Sequence, residues 1–263
     1  MPTKKITPKN GAAVTPRYGW LPDLPDHRDH IFGAALAELT KLPDKVDLRS
    51  ECPAVYDQGD LGSCTANAIG AALEFDLLKQ NLPEFTPSRL FIYYNERAIE
   101  HTTASDSGAQ IRDGIKSVAK QGVCSEADWP YDITKFAIKP PTKVYTDALN
   151  NQALTYQRVS RSLSQMRGCL AAGFPFILGF TVYTAFESKA VSTSGILNLP
   201  GPKEKVLGGH AVLAVGYDDQ AQRFIVRNSW GIHWGQEGYF TMPYAYLLSA
   251  GLSSDFWTIR SIE

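Results

Sequence analysis

With 263 residues, 44% of them hydrophobic and 20% charged, the chain has an ordinary globular composition, long enough for one generous core or two lobes. A formal net charge of −1 gives no footing for nucleic acid or an anionic membrane as partner, and no apolar run approaches the roughly eighteen residues of a membrane span. The four cysteines, Cys52, Cys64, Cys124 and Cys169, form no CxxC pair or Cys/His cluster, which argues against a metal site and points to a reducing compartment.

The start, Met1 to Asn10, has basic residues but no apolar core behind them, so it does not read as a secretory signal. A cytoplasmic location is expected, and specialised export is compatible with it. Pro2, Pro8, Pro16, Pro22, Pro25 and Pro43 break any periodicity over residues 1–44. Tyr18, Trp20, Leu21 and Leu24 nevertheless want burial, which predicts an N-terminal extension packed along the main domain. Residues 45–263 then form the main globular unit, and Leu42–Arg49 supplies its first strand.

From Thr65 to about Gln80, Ala68, Ala71/Ala72, Phe75 and Leu78 recur at helical steps, with Ser63 as the N-cap candidate. Cys64 therefore falls in a first helical turn, where peptide dipoles favour a thiolate. A small buried hydrophobe remains the other reading of this residue. Thr86-Pro87-Ser88 opens a second helix running through Arg97, and Ala109–Lys120 is a third, closed by Gly122. The proline-rich stretch Trp129–Lys143 reads as loop, and Leu163–Ala172 as a short helix. Beyond it Phe176–Val182, Ala211–Tyr217 and Arg223–Arg227 are strands, the last two joined by a turn at Asp218–Gln222. Helices first and strands later predict an α+β protein with two lobes, helical over about 58–150 and β-rich over about 155–263.

A catalytic thiol needs a proton acceptor and a third group to orient that acceptor. Of five histidines, His27, His30, His101 and His233 lie in polar or glycine-bounded loops. His210 follows Gly208-Gly209 and opens an apolar strand, so it can reach a neighbouring lobe. A satisfied core histidine is the alternative. Asn228 ends the next strand, where its amide oxygen can hold one imidazole nitrogen, and Trp230 can shield that bond.

Gln58-Gly59, Gly62-Ser63-Cys64, Gly209-His210-Ala211, Asn228-Ser229-Trp230-Gly231, Trp234-Gly235 and Gly238-Tyr239 together resemble the papain family of cysteine peptidases, from about residue 42 to the C-terminus. That family places histidine and asparagine roughly 130–150 residues after the cysteine. His210 falls in this window and Asn228 slightly beyond it. The resemblance implies a papain-like two-lobe fold with the cleft between the lobes. It also implies Cys64 as nucleophile, His210 as general base and acid, Asn228 as its orienting partner, and Gln58 with the Cys64 N–H as oxyanion hole. A thiol of this type titrates near pKa ~3–4, as a thiolate–imidazolium pair. Substrate contacts are implied for Gly108, Ala109, Ala211, Trp230 and Asp255, although Ala109 replaces the second glycine of the family's cleft floor. If Asp255 forms the base of the second specificity pocket, it wants a cationic partner, and Arg or Lys two residues before the cut should be tolerated.

Two departures stand out. Leu61 and Thr65 occupy the places of a cysteine and a tryptophan common around the nucleophile, and Asp106 stands where the usual disulfide partner of that cysteine would be. The long helical propeptide is also missing, as in the bacterial, xylellain-type members. The expectation is a monomeric thiol endopeptidase acting on a peptide or protein substrate. It should need no cofactor and bind neither nucleic acid nor membrane, with the extension partly covering its cleft. Isopeptide cleavage or acyl transfer by the same group, and a silent peptidase-like binding module, are the alternatives.

Overall fold

The computed structural model describes residues 18–262; the basic start and the rest of residues 1–17 lie outside the described residues. The helix Cys64–Lys79 runs through the middle of the molecule. Residues Cys64 to Leu77 are all buried, so its apolar stripe has widened into a complete coat. One side meets the strands Val206–Asp218 and Ser253–Ile262; the other meets the helices Arg89–Ile99 and Ile111–Gln121. Ser88 caps the first of these, its hydroxyl accepting the Phe91 N–H, and Gly122 ends the second at φ +71°. Ser63 stands at the N-cap of the central helix without capping it, because its hydroxyl is engaged by Tyr131 and Asn67 instead.

The β-rich half is an eight-stranded sheet in the spatial order Ile31–Phe32, Ala153–Val159, Ser253–Ile262, Phe176–Tyr183, Val206–Asp218, Arg223–Arg227, Tyr239–Pro243. Lys45–Asp47 joins as a branch on Val206–Asp218, pairing antiparallel to its end. In Val206–Asp218 every residue from His210 to Tyr217 is buried, the continuous pattern of a strand covered on both faces. His210 is thus inside a strand rather than at its mouth, opposite Phe180.

Besides the two-residue strands Trp20–Leu21, Ile31–Phe32 and Ala109–Gln110, three longer strands were not anticipated from the sequence: Ala153–Val159, Tyr239–Pro243 and Ser253–Ile262. The last lies mid-sheet although Ser253, Asp255 and Thr258 are buried polar residues that break its apolar pattern. Trp129–Lys143 contains one 3₁₀ turn, Ile133–Lys135, and a helix begins at Thr142 with Pro141 as its N-cap. The proline pair that reads as a breaker here precedes a helix start.

From Tyr18 to Pro43 the extension lies on the body. Trp20–Leu21 pairs in parallel with Ala109–Gln110, and Ile31–Phe32 pairs in parallel with Arg158–Val159. Trp20 is buried and Tyr18 half-buried, but Leu21 and Leu24 are exposed, at 41% and 70%. Of these four residues the two aromatic side chains, and not the leucines, anchor the extension, and Phe32 is buried with them.

Candidate active site

Cys64 begins the central helix and is fully buried. Its Sγ accepts the backbone N–H of Ala211 at 3.4 Å, which brings the residue after His210 onto the sulfur. His210 Nε2 lies 2.8 Å from Asn228 Oδ1, and the Ser229 N–H donates to the same oxygen, fixing which way the amide faces. With Nε2 donating to Asn228, Nδ1 is the nitrogen left with a lone pair. It has no hydrogen-bond partner among the described residues. The Trp230 ring lies 5.1 Å from the imidazole at 33°, covering it, and Phe180 and Phe186 also pack against the ring.

Gln58 is buried beside this group. Ser229 Oγ donates to its Oε1 at 2.6 Å, and its Nε2 donates to the Leu61 carbonyl at 2.9 Å. Ser229 thus joins Gln58 to the Asn228 amide. Nothing in the sequence singled it out beyond its place between Asn228 and Trp230.

The space between the two halves is filled by the extension. The backbone of Gly19 lies close enough to Cys64 to favour its thiolate, and the Gly19 carbonyl accepts the Ala109 N–H at 2.7 Å. Tyr18 lies edge-on to His210, and its hydroxyl donates to Glu187. The Trp20 indole crosses Gly179 so closely that a Cβ there would stand 1.9 Å from the ring. Its N–H donates to Asp255 Oδ2 at 3.2 Å.

Asp255 is buried, at left-handed φ +59°, and accepts from Trp20, from the Asp23 N–H at 2.9 Å and from Arg158 at 3.1 Å. Its cationic partner is therefore already present in the chain. Gly108, Ala109, Ala211, Trp230 and Asp255 all line the path of the extension or the nucleophile.

Covering the cleft changes the protonation of the pair. Burial pushes the Cys64 thiol up to about 12, outweighing the Ala211 and Gly19 N–H groups that favour thiolate. Burial also pushes His210 down to about 4, against the Asn228 hydrogen bond. In this closed state the pair is thiol and neutral imidazole, not the ion pair expected from the sequence. The helix dipole is present, but complete burial of both side chains disfavours separated charge.

Residues 42–255 match the family described as Papain family cysteine protease. Xylellain, a cysteine protease from Xylella fastidiosa, is 44% identical in a solved structure that covers 94% of this chain and 96% of its own, with a TM-score of 0.88. A peptidase C1-like protein of Acanthamoeba polyphaga mimivirus is 41% identical over 95% of this chain and 89% of its own length. A cathepsin B-like protein of Giardia intestinalis is 30% identical over 76% and 69%. These relatives come from a bacterium, a virus and a protist, so the resemblance is not confined to bacterial proteins. The chain belongs to the papain family of cysteine proteases and has that family's two-lobe α+β fold.

Proposed function

We propose that the chain is a monomeric endopeptidase that cleaves peptide or protein substrates through Cys64, His210 and Asn228, without a cofactor. The observation that carries this reading is the convergence of three distant residues: Cys64 Sγ on the Ala211 N–H, and His210 Nε2 on Asn228 Oδ1 at 2.8 Å. When the cleft is open and wet, the thiol proton passes to His210 Nδ1. The thiolate attacks the substrate carbonyl carbon, and the developing oxyanion is met by Gln58 Nε2 and the Cys64 N–H. The C–N bond then breaks, with the imidazolium proton going to the leaving amine. Water, deprotonated by His210, hydrolyses the thioester and frees Cys64.

In this reading the extension over residues 1–44 gates the cleft, and its direction supports that role. Asp255 belongs to the side of the residues before the cut, and His210 to the side of the leaving amine. A substrate therefore runs from Asp255 towards His210, whereas the extension runs from Tyr18 at His210 to Trp20 at Asp255. Its Gly19 carbonyl is held by the Ala109 N–H. A segment lying against the substrate's direction is suited to occupy the cleft as a cover rather than as a substrate.

The test is turnover of a diverse peptide library by the full chain and by Cys64→Ala. Hydrolysis by the parent chain that Cys64→Ala abolishes supports the reading. Products joined to an added amine in place of hydrolysis would move it to acyl transfer, and no turnover even after removal of residues 1–40 would sink it.

A further inference from the structure

Asp106 lies where the resemblance places one half of a missing crosslink, and its contacts join two segments of the helical lobe that border the cleft. Its Oδ1 and Oδ2 accept the Gly62 N–H at 3.0 and 3.2 Å, two residues before the nucleophile. The Tyr93 hydroxyl donates to Oδ1 at 2.5 Å and accepts the Gly108 N–H at 3.2 Å. Gly108 leads into Ala109, whose N–H holds the chain lying in the cleft. One carboxylate and one phenol therefore bridge the loop that presents Cys64 and the strand that receives a peptide backbone.

The unit is itself held rigidly. The Arg97 guanidinium stacks 3.9 Å over the Tyr93 ring and donates to the carbonyls of Thr103 and Ser105, both at 2.9 Å, in the loop that carries Asp106. Hydrogen bonds to a charged acceptor are about twice as strong as neutral ones, so the carboxylate suits a staple without a covalent bond.

The geometry assigns Asp106 as a positioning residue for catalysis: through Gly62 it sets the Gly62-Ser63-Cys64 turn, and hence where the Cys64 N–H meets the oxyanion. Tyr93 extends the same control to the Gly108–Ala109 wall. This rests on the Cys64 mechanism proposed above. Because the staple is hydrogen-bonded and contains no disulfide, it is unaffected by thiol reductants.

The test compares two reactions of the same full-length chain. Alkylation of Cys64 by iodoacetamide needs an accessible, ionised sulfur but no oxyanion hole; peptide turnover needs both. Opening of the extension enters both rates, so it cancels in their ratio. Asp106→Asn keeps the side chain's shape but loses the charge and one acceptor, and should lower the turnover-to-alkylation ratio tenfold or more, through kcat. Loss of an oxyanion donor outright typically costs about 10²–10³, which bounds the effect. Tyr93→Phe should instead raise KM, since it leaves the Gly108 N–H without its acceptor. Asp106→Ala can disorder the loop, so the shape-preserving Asp106→Asn is the deciding variant. An unchanged ratio in a folded Asp106→Asn overturns the assignment. A wild type that alkylates but hydrolyses nothing contradicts the underlying mechanism instead.

Discussion

At the scale of single residues, the chemistry of Cys64 depends on what lies over it. Its position at a helix start favours thiolate, yet burial under Tyr18-Gly19-Trp20 holds the thiol up at about 12. Gly19 is the residue this covering cannot exchange: a Cβ there would stand 1.7 Å from the Gly62 carbonyl oxygen. Overpacking costs about 1–3 kcal/mol, or roughly five- to 150-fold in an equilibrium. Gly19→Ala should therefore raise peptidase activity and iodoacetamide labelling of Cys64 together, by a factor in that range. Equal rates for the two proteins would remove the gating role. Gln58→Ala should lower kcat by about 10²–10³ with a smaller change in KM, the signature of a lost oxyanion donor. Asp255→Ala should reduce cleavage after Arg relative to Phe at the second position before the cut. Arg158 already balances much of the carboxylate's charge, so the change should be only a few-fold, and a constant ratio would exclude Asp255 from that pocket. The cysteine, histidine, asparagine and glutamine could be read from the chain because their neighbours form short recognisable runs. The closed state's neutral pair could not, because it depends on solvent exclusion by a segment more than forty residues away.

At the scale of elements, the extension is fastened by a cluster with more carboxylates than cations. Asp23, near Asp255, accepts from the Arg112 N–H and from the Trp257 indole, while Arg112 and Arg158 both bind Asp29. Glu100 also faces this group. Burial, then the Asp255 charge, pushes Asp23 up to about 6 from its ordinary value near 4. The docked state thus holds a proton that the released segment does not. Docking is fully supported below the free value and loses that support as pH rises through about 6. Over this window the open fraction should grow tenfold or more, because each step of one in pKa between the docked and released states is a factor of about ten in the equilibrium linking them, and the two values differ by more than one. Amide exchange at Asp23 and Ala109, corrected for its intrinsic pH dependence, reads docking without reference to activity. Asp23→Asn should flatten the trend, and a trend that survives it would rule out Asp23 as its source. The central helix was legible from its 3.6-residue spacing, but its coat of buried side chains was not. Ser253–Ile262 escaped altogether: buried Asp255 and Thr258 have polar partners supplied by distant residues, which one strand's own pattern does not reveal.

At the scale of the whole molecule, the helical half presents the sulfur and the sheet presents the imidazole and the carboxamide, with the two halves meeting along the central helix. Helices before strands in the chain made the two-lobe class readable, whereas the sheet order depends on pairings between segments far apart in sequence. All four cysteines are free, and Asp106 ties the cleft without a disulfide. The midpoint of thermal unfolding should therefore be the same with and without dithiothreitol, and a fall on reduction would reveal an unseen crosslink. The central claim is that catalysis passes through an acyl group on Cys64. Rapid-quench mass spectrometry of the Gly19→Ala chain with an activated ester of a peptide measures this directly. The account predicts a transient adduct on Cys64 with the mass of the acyl half, absent when Cys64→Ala is added. Steady turnover with no adduct, or the same turnover without the cysteine, would contradict it.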